Sequence, residues 1–134
     1  MKTTSITLDN ITEVLTQIIE FTERRYDVLM RNLFDYKSEG FRPKDLPVGE
    51  FAECMTEALS EHLRSHRLLL CDREHITFGQ DGYFDALPTV DLEAEKLLKS
   101  DVMQYLQIQI HKLSENSMNK RIAVELLKQK QRLL

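Results

Sequence analysis

From Thr89 to Leu134 the chain holds no glycine and no proline, and that stretch does most to limit the fold. Glycine ends helices through a left-handed cap, and proline by lacking an N–H. A run without either predicts one helix of roughly 40 residues, about 60 Å long at about 1.5 Å per residue. A compact globule of this chain length has a radius of gyration near 14 Å, hence a diameter of about 36 Å. The helix does not fit inside such a ball. Either it breaks, with Ser114-Glu115-Asn116-Ser117 as the weak point, or the molecule is elongated and buries its seam against neighbours. The 134 residues include only 4 Gly, 3 Pro and no Trp, which disfavours a many-stranded sandwich or barrel. The expected class is all-α and elongated, with long N- and C-terminal helices pairing as a coiled coil.

Periodicity fills in a single domain over 1–134. Residues 1–9 are expected as a flexible N-terminus. Asp9 or Asn10 then caps a helix over 10–37 whose seam is Ile11, Leu15, Ile18, Thr22, Tyr26, Leu29, Leu33 and Tyr36. Gly40 closes it in a left-handed conformation, and Phe41 to Pro47 is extended. Residues 38–88 hold a middle helix, Val48 to about Leu69, with the stripe Phe51, Ala52, Met55, Ala58, Leu59, Leu63 and Leu70. A small hairpin or loop follows, turning at Asp81-Gly82. Thr89 or Asp91 caps the last helix, over 89–134. Its apolar positions are Leu98, Val102, Leu106, Ile110, Leu113, Met118, Ile122 and Leu126. The step from Leu113 to Met118 breaks the rhythm.

Composition excludes some functions. The net charge of −4 is the wrong sign for wholesale binding to nucleic acid. Lys120, Arg121, Lys128, Lys130 and Arg132 outnumber Glu125 locally, a bias that the dipole of a helix C-terminus accounts for. Leu68-Leu69-Leu70 is the densest apolar run, far short of the ~20 residues of a membrane span. The first residues lack the apolar stretch of a cleaved signal peptide. Cys54 and Cys71 are too few for a disulfide framework and read as free thiols. Cys54, His62, His66, Cys71 and His75 form the one grouping that hints at a zinc protein. It lacks the paired Cys-x-x-Cys or His-Glu-x-x-His spacing of an assured site, and surface histidines with packed thiols account for it better. No metal, cofactor or catalytic constellation is expected.

One stretch carries a resemblance. Arg24-Arg25-Tyr26-Asp27-Val28-Leu29-Met30-Arg31-Asn32-Leu33, followed by Gly40-Phe41-Arg42-Pro43-Lys44-Asp45-Leu46, resembles the N-terminal segment of bacterial flagellar basal-body rod proteins of the proximal (FlgB) type. That family shows Asn-Ile-Ala-Asn-x-x-Thr-Pro-Gly-Phe and then a basic residue and Lys-Asp. Aligned without gaps, Asn32 takes the first Asn and Gly40-Phe41 the Gly-Phe. Arg42, Lys44, Asp45 and Leu46 fall on the positions after the turn. Asp35 replaces the second Asn, Ser38-Glu39 stands for Thr-Pro, and Phe34 and Tyr36 are larger than usual.

The resemblance implies a structural subunit, not an enzyme. It would self-assemble and meet other flagellar rod and basal-body ring proteins through its terminal helices, with no nucleic acid and no membrane insertion. Its place would be the periplasmic rod of the flagellum basal body, reached by type III export without a cleaved signal peptide. Asn32, Gly40, Phe41, Arg42, Lys44 and Asp45 would be its assembly and turn residues, although a plain cap and loop would explain Asn32 and Gly40 as well. The alternative is a cytoplasmic helical interaction or regulatory protein acting as a dimer through the same seams.

Overall fold

The computed structural model describes residues 2–80 and 82–132. In these the fold is mostly helical with a few short antiparallel strands, so the expected all-α class needs that correction. The order is α1 (Lys2–Phe34), β1 (Lys44–Asp45), α2 (Val48–Ser65), β2 (Ile76–Phe78), β3 (Phe84–Ala86), β4 (Thr89–Val90), α3 (Leu92–Ser100) and α4 (Val102–Arg132). β1 pairs with β4, Lys44 opposite Val90, and β2 with β3, Ile76 opposite Ala86.

Helical backbone extends ahead of the expected cap. Asn10 caps nothing there, and its side chain donates instead to the His66 carbonyl at 3.1 Å. α1 ends at Phe34, earlier than expected, and two turns carry the chain on. In the second the Phe41 N–H reaches the Ser38 carbonyl at 3.1 Å, with Gly40 at φ +75°. Gly40 is thus left-handed, but in a type II-like turn rather than at the helix end. α2 stops at Ser65, short of Leu69, because His66 adopts φ 59° and returns its N–H to the His62 carbonyl. The hairpin forms with Gly82 at φ +75°; Asp81, its other expected turn residue, lies outside the described residues.

Asp91 caps α3 through the Ala94 N–H at 3.1 Å. The long last helix does break, but at Asp101 and not within Ser114–Ser117. Asp101 ends α3 at φ −152°, and its carboxylate accepts the Gln104 N–H at 3.2 Å to start α4. Ser114 to Ser117 have modest helix propensity, yet each keeps the N–H that a helix needs, whereas Asp101 can cap a new start. At about 1.5 Å per residue α1 and α4 are about 50 and 46 Å long, longer than a ball of this mass is wide.

α2 and the β2–β3 hairpin pack on one side of α1, around Val14, Phe21, Leu46, Phe51, Cys54, Met55, Ala58, Ile76, Phe84 and Ala86. Phe21 stacks on Phe51 with ring centroids 4.0 Å apart, and Arg24 lies 4.2 Å over the Phe84 ring. α4 packs on the other side of α1 and runs antiparallel to it. Asn32 meets Tyr105 and Gln109, Thr22 meets Asn116, and Leu15 shares a groove with Ala123 and Leu126.

Candidate functional site

The expected turn residues converge on the end of the α1–α4 seam. Asn32 is 2% exposed. Its Nδ2 donates to the Lys44 carbonyl at 2.8 Å and to Gln109 Oε1 at 2.9 Å, and its Oδ1 accepts the Lys44 N–H at 3.1 Å. Only an amide offers both donors and an acceptor in that space, so one side chain fastens β1 to two helices. The Asn32 carbonyl belongs to the last turn of α1, where no intrahelical N–H remains. The Tyr105 hydroxyl donates to it at 2.7 Å. Burial pushes the Tyr105 phenol up to about 12, so it remains a neutral donor.

Asp45 extends this knot. Arg25 clamps it with Nε at 2.9 Å and Nη2 at 3.0 Å, and Lys112 reaches it at 3.4 Å and Asp91 at 2.6 Å. Arg25, Asp45, Lys112 and Asp91 alternate in sign and sum to zero, which offsets much of the desolvation cost of charges held under cover. Burial raises the Asp91 carboxyl, but Lys112 and the Ala94 N–H outweigh it and hold the group below its ordinary value.

Arg42 stands apart. It is exposed and grips Glu95 at 2.6 and 3.1 Å, which lowers the Glu95 carboxyl. Gly40 and Phe41, with Arg31, Asp35 and Pro88, line an open groove of about 430 Å³ beside Asn32. The structure therefore joins Asn32, Lys44 and Asp45 in one network, places Arg42 in a separate surface clamp, and leaves Gly40 and Phe41 as the turn between them. Arg25, Asp91, Tyr105, Gln109 and Lys112 complete the network; Asp91 was expected only as a cap and Arg25 only in the resembling run, and the three residues of the last helix were not anticipated from the sequence. Their signal was present: Tyr105, Gln109, Lys112 and Asn116 recur at steps of four and three.

That polar rhythm overturns the expected seam of the last helix. The buried residues of α4 are Tyr105, Gln109, Asn116 and Ala123. Of the expected apolar positions Leu98, Leu106 and Leu113 are half-buried, but the others are exposed: Val102 41%, Ile110 57%, Met118 57%, Ile122 53% and Leu126 47%, with Met103 at 66%. Tyr26, expected inside, is 51% exposed. At about 100° per residue the step from Leu113 to Met118 turns about 140° round the helix. Ile110 and Leu113 accordingly face a groove of about 700 Å³ shared with Tyr26 and Asp27. Ile122 and Leu126 face another, about 390 Å³, shared with Ala52 and Leu59 of α2.

The cysteine–histidine grouping does not form one centre. His62 is buried beside Asn10 at 3.4 Å, Cys54 donates to the Cys71 carbonyl at 3.3 Å, and His75 Nδ1 pairs with Glu50 at 2.7 Å. Among the described residues the set of three metal-type donors within reach of one another is Glu50, Glu74 and His75, with the His75 Nδ1 already engaged by Glu50. Of the basic C-terminal residues, Lys120 pairs with Glu23 at 3.3 Å. No protein-family model matches the chain, and neither a curated protein nor a solved structure does.

Proposed function

We propose that this protein is a structural assembly subunit of the proximal-rod kind, whose α1–α4 pair acts as a coiled-coil stem that stacks on copies of itself and on related rod and ring proteins. The observation that carries the reading is the inverted last helix. α4 buries Gln109 and Asn116 and holds out Met103, Ile110, Met118, Ile122 and Leu126. Exposed apolar surface costs about 25 cal/mol per Å², and apolar patches on two sides of a helix are a form that two neighbouring helices can cover. A head-to-tail contact that does not close on itself yields a helical tube. The role is mechanical, joining a membrane ring to a drive shaft in the periplasm, and needs no catalytic group. The resemblance at Arg24 to Leu46 supplies the flagellar setting, and the Asn32–Lys44 knot gives those residues a part in fixing the stem.

The test is fractionation. Purified basal bodies, probed for this polypeptide, should contain it, and Ile122→Glu with Leu126→Glu should remove it from them while leaving the helical circular dichroism intact. A polypeptide absent from basal bodies, retained in the cytoplasm and sedimenting as a stable pair would overturn the rod reading in favour of a dimeric regulatory protein.

A further inference from the structure

The chain between α2 and β2 holds a second piece of chemistry, independent of the assembly reading. After the left-handed turn at His66 the segment from Arg67 to Cys71 returns along α2. At about 3.3 Å per extended residue these five span about 16 Å, while the twelve residues of helix from Cys54 to His66 rise about 18 Å. The returning strap therefore brings Cys71 level with Cys54. The contact is direct: Cys54 Sγ donates to the Cys71 carbonyl at 3.3 Å. A carbonyl oxygen lies close to its own Cα, so the Cys71 Cα is within about 6 Å of the Cys54 sulfur, which makes the two cysteines neighbours across the strap.

Two more groups complete the cluster. Arg73 crosses the strap, donating to the Cys71 carbonyl at 3.4 Å and to Glu57 Oε2 at 3.1 Å. The other Glu57 oxygen, Oε1, is buried with no hydrogen-bond partner among the described residues, one helical turn from Cys54. Cys54 is fully buried and Cys71 half-exposed, so an external reagent reaches Cys71 first.

We infer that Cys54 and Cys71 are a vicinal dithiol site that takes a small-molecule disulfide as oxidant and closes a Cys54–Cys71 bond stapling the strap to α2. The half-exposed Cys71 thiol gives its proton to solvent, and the thiolate attacks one sulfur of oxidised glutathione. A Cys71–glutathione disulfide forms and one glutathione thiolate departs, taking up a proton. Cys54 then attacks the Cys71 sulfur, the second glutathione leaves as thiol, and the protein disulfide remains. The protein loses two electrons and two protons, and one oxidised glutathione becomes two reduced ones. Burial pushes the Cys54 thiol up, and the Glu57 carboxylate and then burial do the same for Cys71. The exchange is therefore slow at neutral pH and quickens as pH rises, because the thiolate is the reacting form.

The test uses the full chain with oxidised glutathione at mildly alkaline pH, quenched with an alkylating reagent under denaturing conditions and read by intact mass and peptide mapping. The expected product is a monomer lighter by two hydrogen atoms, unalkylated, with the Cys54 and Cys71 peptides joined and released by reductant. Cys54→Ser keeps a hydrogen-bond donor at the buried position, and it should accumulate the glutathione adduct on Cys71. Two alkylated thiols in the wild type, a wild-type adduct that never resolves, or cross-links only between chains would each overturn the inference. So would a Cys54→Ser protein, folded by circular dichroism, that forms no adduct.

Discussion

Replacing Asn32 with alanine tests whether the seam is held by its polar knot. The amide makes three hydrogen bonds with the Lys44 backbone and Gln109, and the side chain is buried. Truncation leaves the Lys44 N–H, the Lys44 carbonyl and Gln109 Oε1 each short of a partner, at about 1–3 kcal/mol for every one that water cannot reach. Lys44 itself is exposed, so its two backbone groups recover part of the loss, whereas Gln109 is 0% exposed and recovers little. The expected cost is about 3–5 kcal/mol, a large share of the 5–15 kcal/mol that typically holds a domain together. Urea unfolding followed by circular dichroism measures it, with the midpoint falling and the slope unchanged. A double-mutant cycle with Gln109→Leu should show coupling of about 1 kcal/mol, since the two amides share one bond. Destabilisation by Asn32→Ala of less than about 1 kcal/mol would refute the reasoning and mean that apolar contacts alone hold α1 to α4.

Tyr105→Phe removes the hydroxyl that meets the Asn32 carbonyl and should cost about 1–2 kcal/mol by the same unfolding assay; a neutral result would mean that water reaches that carbonyl. The folded value of Asp91 lies below its unfolded one, so its contribution is present above the ordinary carboxylate pKa, about 3.9, and is lost as pH falls through the folded value. Lys112→Met should consequently cost stability at neutral pH, and the gap from wild type should narrow in acid; a gap independent of pH would exclude the ion pair as its source. His75 is raised first by its hydrogen bond to Glu50, and Glu50 is lowered by the same partner. That pair stabilises above the ordinary glutamate value and fully below that of histidine, about 6.5, and fades as pH rises through the raised folded value. Glu50→Gln should therefore differ from wild type in mildly acidic solution and converge with it in alkali, as a two-dimensional NMR titration of the His75 ring can follow. Glu57→Gln removes the carboxylate that disfavours the Cys71 thiolate, and disulfide formation should speed up several-fold at pH 7; an unchanged or slower reaction would refute that role of the carboxylate.

What could be read in the sequence was local chemistry with one physical solution. Asp91 caps a helix because its carboxylate precedes three free N–H groups, and Gly40 and Gly82 take positive φ because a side chain would be strained there. The stripe of α2 was legible in Phe51, Met55 and Ala58, which pack on a largely apolar core, whereas Ala52, Leu59 and Leu63 of the same expected stripe are exposed. The seam of α4 was not, because hydrophobic periodicity assumes that the apolar face goes inside. Here α1 presents Asn32, the Thr22 carbonyl and the chain of charges through Arg25, and those groups select Gln109, Asn116 and Lys112 in place of Ile110, Met118 and Ile122. Such a choice depends on what the partner helix offers from 77 to 94 positions away, which no local window contains. The site was legible in the same partial sense: Asn32, Lys44 and Asp45 sit in its centre, while Tyr105 and Gln109 come from the far end of the chain.

The break in rhythm after Leu113 decides how α4 can be held. A straight helix laid beside it would find oily contacts along one half and then run past them, since the remainder point to the opposite margin. Full coverage takes two companions, one near Ile110 on the left hand, as it were, and one near Ile122 on the right. Were α4 gripped from both sides in that way, as the proposed stacking requires, it could not be drawn out sideways without releasing both neighbours, like a stave in a cask.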